Sequence, residues 1–245
     1  RHGKSRTATL FVQWVIGKCP KDKIITGSYN ETLSTVFSKG VRNKIQETSA
    51  DGRIVYNDIF PHIKVKRGDG AANLWGIEGN DTNTYLATSP TGTATGFGAD
   101  LMLIDDVIKN EYEARNDNVK EQHWKWFTDT MLSRREGKRK VIVVMTRWAS
   151  DDLAGRLIEA LNRQGKKYRM ICYKAFDGNS MLCEDILSRA QYEDILQGDT
   201  GRDIVEANYN QSPIDITGRL YSQLQTYDEL PKNIESIESW PSVSH

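Results

Sequence analysis

The sequence predicts an α/β protein: a parallel sheet between two helical layers, with a small helical extension at the C-terminal side. Three observations carry this. Helix-period and strand-period segments alternate through the first 175 residues or so. The run Leu101-Met102-Leu103-Ile104 is continuously apolar and ends in Asp105-Asp106, the pattern of a strand buried on both faces that delivers acids at its C-terminal edge. Finally, Gly3-Lys4-Ser5 stands directly before a helical pattern.

The elements follow in order. Arg6–Ile16 has apolar residues at helical spacing and closes at Gly17, and Lys23–Ser28 is a short β-rich run after a Pro-Lys-Asp turn. Asn30–Ile45 carries a helical stripe of Leu33, Val36, Phe37, Val41 and Ile45. Residues 46–98 are rich in Gly, Asp, Asn and Thr, with short strands expected near Ile63–Val65, Leu74–Ile77 and Tyr85–Thr88. Ser89–Gly98 is a polar loop, either a connector or a mobile loop beside a ligand. After the acid pair, Glu111–Arg135 predicts a long helical region whose Trp124, Trp126 and Phe127 pack onto the sheet rather than stack on bases. Lys140–Met145 is the strongest strand pattern in the chain and runs into Thr146-Arg147-Trp148. A helix to Leu161 follows, with Ser150 or Asp151 as its expected N-cap. Arg169–Ala175 is expected to add a strand. Beyond about residue 178 the pattern turns helical, near 187–196 and 203–209, and then weakens toward His245. The expected domains are therefore 1–177, the core, and 178–245, the helical extension and linker.

Composition excludes several classes. The 245 residues are 38% hydrophobic and 27% charged, an ordinary globular balance. No apolar run approaches the roughly 20 residues of a membrane span, and no signal-peptide pattern opens the chain. Lys+Arg and Asp+Glu are both 33, so any nucleic-acid contact rests on local patches such as Arg134–Lys140. The three cysteines and four histidines are scattered, without metal-ligand spacing, and read as cytosolic thiols and isolated imidazoles.

The chemistry lies where the elements meet. Gly-Lys-Ser is the closing half of a phosphate loop (Walker A), in which backbone N–H groups cradle phosphates, the Lys reaches the β/γ-phosphates and the hydroxyl ligates Mg²⁺. By that reading Arg1, His2, Gly3, Lys4 and Ser5 line an ATP site, and the following helix points its N–H groups and dipole at the phosphates. The strand before the loop would lie ahead of residue 1. Asp105 has the position of a Walker B acid holding Mg²⁺, and Asp106 that of the group which orients or deprotonates the attacking water. Thr146, at the tip of a central strand, can sense a γ-phosphate. Taken singly, the same stretches would serve a plain core helix and a strand followed by an acidic turn. The order of nucleotide loop, acid pair and polar strand tip is that of an additional-strand P-loop NTPase.

The wording of RHGKS, GFGADLMLIDDVIKN, VIVVMTRWASDDLAGRL and ANYNQSPIDITGRLY closely resembles the large terminase subunit of tailed double-stranded DNA phages, from Arg1 to about Pro231. The resemblance implies an ATPase motor that drives viral double-stranded DNA into a prohead. It would work in the host cytoplasm as a ring on the portal protein, with a small terminase subunit recognising DNA. It implies Lys4, Asp106 and Thr146 as the catalytic set, with Ser5 and Asp105 on Mg²⁺ and Thr146 heading the coupling motif. Many relatives carry a Glu at the position of Asp106. Many also carry an arginine finger just before the Walker B strand, where this chain reads Thr95-Gly96-Phe97-Gly98. Arg147, Arg42 or Arg134 could take that part. Relatives continue into a nuclease domain, whereas this sequence stops at His245 before its first metal-binding strand, so no DNA cleavage is expected of it. Two other readings remain beside the motor: a helicase-like remodelling ATPase, and an inactive prophage remnant.

Overall fold

The protein is described from a computed structural model, which places residues 3–68, 71–92, 94, 96–136, 140–198 and 202–213. The first helix, α1 (Lys4–Lys18), leads into β1 (Ile24–Gly27) and α2 (Glu31–Gln46). After the short α3 (Tyr56–Ile59) come β2 (Leu74–Trp75), β3 (Tyr85–Thr88) and β4 (Leu101–Asp105). The helical region after the acid pair is broken into α4 (Glu111–Arg115) and α5 (Asp117–Lys125), followed by a π-helical turn at Trp126–Met131 and a 3₁₀ turn at Leu132–Arg134. Then β5 (Val141–Val144), α6 (Leu153–Arg163), α7 (Arg189–Gln197) and α8 (Arg202–Asn208) complete the order.

The five strands form one sheet in the order β2-β3-β1-β4-β5. Every pairing is parallel except β2 with β3, where Trp75 stands opposite Tyr85. Alternation along each strand sorts the core into two layers. Ile24, Tyr85, Leu101 and Leu103 face α1 and α2, where they meet Val12, Ile16, Phe37 and Val41. Ile25, Leu86, Met102 and Ile104 face the opposite way, onto Phe127, Met131 and Leu153. The expected three-layer arrangement is thus present, with one antiparallel strand at its edge. Trp126 and Phe127 are buried in the second layer, the sheet-packing role read from the sequence.

The other edge of the sheet is β5. Its four β-branched residues are half-buried, and among the described residues it is an edge strand, where the sequence reading made it a central one. Among the described residues no strand pairs with its outer side. The expected strand at Arg169–Ala175 does not form, and Met170, Ile171 and Tyr173 are about two-thirds exposed. The segment carries a short apolar run, but a strand exists only with a hydrogen-bonded neighbour, and none of the described strands reaches it. Ile63–Val65 likewise forms a single bridge, Val65 with Ile77, rather than a strand.

A third, smaller core of Met181, Tyr192 and Val205 holds α7 and α8 together. Residues 1–214 make one compact unit, which includes α7 and α8. The Ala175 N–H donates to the Tyr209 carbonyl at 2.8 Å, which fastens α8 back to the chain that leaves α6. The expected linker beyond residue 213 lies outside the described residues.

Candidate phosphate and metal site

Gly3 caps α1 with φ +79°, a left-handed conformation that only glycine adopts at little cost. Among the described residues no side chain caps this end, and no acid lies in the first turn, so the leading N–H groups and the positive end of the helix dipole suit an anion. Lys4 and Ser5 are exposed there. Arg1 and His2, the other residues read as ATP-binding, lie outside the described residues.

The register of β4 with β5 decides what faces α1. Asp105 pairs with Val144, and the Asp106 N–H donates to the Val144 carbonyl at 2.9 Å. Both chains therefore end side by side, and α1 packs across them. Lys4 Nζ donates to Thr146 Oγ1 at 2.8 Å, and the Thr146 N–H donates to Asp106 Oδ1 over a longer 3.4 Å. The Ser5 hydroxyl lies close enough to Asp105 to favour its ionised form. Residues separated by about 140 positions in sequence thus meet at the C-terminal edge of the sheet, and Lys4, Ser5, Asp105, Asp106 and Thr146 form one cluster.

Its electrostatics are those of a site short of positive charge. Burial pushes the Asp105 carboxyl above the usual carboxylate range. The Ser5 hydroxyl and Lys4 pull it down, while Asp106 pushes it further up. Asp106 is also raised by burial, against the opposing pull of the Thr146 N–H and Lys4. Asp106 has φ +54°, a left-handed backbone that Asp tolerates better than most side chains. That backbone turns its carboxyl toward the tip of β5.

The donor set suits Mg²⁺. A hydroxyl and a carboxylate close together, with a second carboxylate beside them, are the hard oxygen donors that Mg²⁺ prefers. Among the described residues no three His, Cys, Asp or Glu gather as a closed metal cage. An ion here would be held by Ser5 and Asp105 and would complete its shell with phosphate oxygens and water, the usual habit of Mg²⁺.

Arg147 is occupied by its own loop. Its Nε donates to both oxygens of Asp152, at 3.0 and 2.9 Å, and its Nη2 to the carbonyls of Ala149 and Ser150. Asp152 is fully buried and also accepts from the N–H groups of Trp148 and Gly155. It is therefore Asp152, rather than Ser150 or Asp151, that caps α6. Asp151 instead receives Lys120 of α5 at 2.7 Å. Arg42 donates to the Ala71 carbonyl on another part of the surface. The Ser89–Gly98 loop is described only in part, and in the basic cluster Gly137, Lys138 and Arg139 lie outside the described residues.

Two residues that matter to this geometry were not singled out from sequence. Asp152 carried a signal, since the Asp-Asp pair marks a helix start, but the choice between neighbours depends on where Arg147 lands. Gln211, whose Oε1 accepts from the Arg147 N–H at 3.2 Å, carried none.

Fold and site together define a class: a mostly parallel α/β sheet with a glycine-started helix N-terminus, an acid pair and a polar strand tip on one edge. Among solved structures, the chain is similar to the crystal structure of the HK97 bacteriophage large terminase, with a TM-score of 0.52 and 13% sequence identity. The match covers 86% of this chain and 44% of that one, so the chain spans less than half the length of that protein. At this identity the likeness shows a terminase-like fold. No family model and no curated protein sequence matches the chain. Among the described residues no helix is long and apolar enough to cross a membrane.

Proposed function

We propose that the chain is the ATP-hydrolysing motor domain of a phage large terminase, which drives viral double-stranded DNA into a prohead. The observation that carries this is the meeting of Lys4, Ser5, Asp105, Asp106 and Thr146 on one sheet edge. The terminase-like fold adds support. In this reading the N-terminal N–H groups of α1 and the Lys4 ammonium bind the β- and γ-phosphates of ATP. Ser5 and Asp105 hold Mg²⁺, which supplies charge neutralisation on the phosphate oxygens. Asp106 accepts a hydrogen bond from the attacking water and aims it at the γ-phosphorus. Its raised proton affinity suits a base. Thr146 changes partner as Lys4 turns to phosphate, so the tip of β5 registers whether a γ-phosphate is present.

Arg147 has a positioning role in this account, since its guanidinium is satisfied within its own loop. It holds the turn that carries Thr146. An arginine reaching a neighbouring subunit's ATP would be another residue. Portal protein, a small terminase subunit and a ring of identical copies are the partners this function entails, in the host cytoplasm.

Isothermal titration of Mg²⁺-ATP into the full chain tests the reading, with linear double-stranded DNA added in a second series. Saturable binding that Lys4→Ala abolishes is expected, together with phosphate release that rises when DNA is present. Binding unchanged by Lys4→Ala would remove the assignment. ATP-dependent strand separation would move the protein to the helicase-like reading, and the lack of any nucleotide binding to that of an inactive remnant.

A further inference from the structure

The backbone at Thr146–Arg147 is held from two sides. On one side Thr146 receives Lys4 through its hydroxyl and donates its N–H to Asp106. On the other, the Arg147 N–H donates to Gln211 Oε1, 64 residues further on. Gln211 is itself fixed at the end of α8, where its Nε2 donates to the Asn208 carbonyl at 2.5 Å. Its backbone has φ +56°, left-handed, which a long side chain adopts only when its surroundings hold it there. Those surroundings are ordered. Val205 and Ala207 of α8 are buried, Ser212 N–H donates to the Glu206 carbonyl, and Asn210 Nδ2 donates to Glu206 and to the Tyr192 hydroxyl.

We propose that Gln211 is a positioning residue that couples occupancy of the phosphate site to α8, by holding the Thr146–Arg147 peptide at the tip of β5. The proposal rests on the phosphate-binding reading of Lys4. An anion at the N-terminus of α1 draws Lys4 away from Thr146, and the backbone there then loses a restraint on one side while Gln211 keeps the other. The strained backbone at Gln211 and its hydrogen bond across elements are separate observations, and they point to the same residue. The Arg147–Asp152 pair keeps the intervening loop from absorbing the change, because its buried carboxylate fixes the backbone at Trp148 and Gly155 as well.

The test is amide hydrogen exchange over residues 205–212 in the full chain, with and without saturating Mg²⁺-ATP, beside ATP titrations and steady-state kinetics. In the wild type, Mg²⁺-ATP is expected to change exchange in this segment by about fivefold, the ratio that one neutral hydrogen bond of ordinary strength commands. Gln211→Gly removes the side chain while accepting the left-handed backbone, so the fold is retained. It is expected to bind ATP normally, to lose the exchange response, and to show a lowered kcat at unchanged KM. Gln211→Glu keeps an acceptor for the Arg147 N–H and is expected to preserve the response. A Gln211→Gly protein that still responds as the wild type does would overturn the proposal. So would wild-type protein that binds ATP with no change over 205–212, which leaves the phosphate-site reading standing. Absence of ATP binding by the wild type would overturn both.

Discussion

Asp152→Ala would withdraw one carboxylate from four hydrogen bonds: two from the Arg147 Nε, and one each from the Trp148 and Gly155 N–H groups. The site is fully buried and Arg147 is mostly so, with side-chain exposures of 0% and 19%. Solvent therefore cannot replace the lost partner. Breaking a buried pair by removing one member costs about 3–5 kcal/mol, because the remaining charge is left without compensation. Loss of the α6 cap is part of the same event rather than an addition to it, since one carboxylate serves both. A loss of about 4 kcal/mol, at about 2–4 °C per kcal/mol for a unit of this size, lowers the Tm by about 8–16 °C. Urea and thermal unfolding of wild type, Asp152→Ala, Arg147→Met and Arg147→Met/Asp152→Ala measure it. The double variant is expected to lose clearly less than the sum of the single losses, because neither charge is then left alone. A loss under about 1 kcal/mol for Asp152→Ala would refute the clamp, because an exposed pair is worth no more than that.

Three further outcomes follow from the same geometry. Asp106→Asn is expected to raise the Tm at pH 7, because Asn tolerates the left-handed backbone, keeps an acceptor for Thr146 and removes a charge that burial disfavours. The sign is fixed by the raised folded pKa. The ionised carboxyl costs stability at neutral pH, and the cost fades as pH falls through the folded value toward the ordinary carboxylate range, so the Tm gap should close on acidification. A gap that widens toward acid would contradict it. Gly155→Ala is expected to lose about 1–3 kcal/mol by denaturation, since a Cβ there would overlap the Ser150 carbonyl and lie 2.9 Å from Arg147 Nη2. That overlap outweighs the roughly 1 kcal/mol an Ala gains in helix propensity, and a more stable variant would show the turn to be looser than described. Mg²⁺-ATP at a hundred times its Kd should stabilise the chain by about 2.7 kcal/mol in the same scans, and Lys4→Ala should cancel most of that.

Much of this site was legible because its residues announce themselves by position relative to an element. Lys4 and Ser5 open a helix, Asp105 and Asp106 end an apolar run, and Thr146 follows the strongest β-run, so each chemistry-bearing residue sits at a terminus that local pattern can locate. Their convergence then follows from parallel pairing of β4 with β5. The parts that were not legible depend on partners distant in sequence. Arg169–Ala175 has the short apolar run of a strand, but strand formation requires a neighbouring edge, and local pattern does not report one. The antiparallel entry of β2 is set by its two-residue pairing beside Tyr85, which no local signal specifies. Arg147 looked available to reach a ligand because sequence does not show that Asp152 lies within its grasp. Gln211 is the clearest case, since both its left-handed backbone and its hydrogen bond to Arg147 exist only once α8 has docked.

The central claim is that the cluster on the sheet edge hydrolyses ATP. Steady-state phosphate release from Mg²⁺-ATP, measured on wild type, Lys4→Ala and Asp106→Asn with and without double-stranded DNA, tests it most directly. The account predicts turnover in the wild type, loss of ATP binding and turnover in Lys4→Ala, and an Asp106→Asn protein that is folded and binds ATP yet is slowed by at least about a hundredfold, the lower end of what a positioned general base contributes. Equal rates in all three proteins would contradict it.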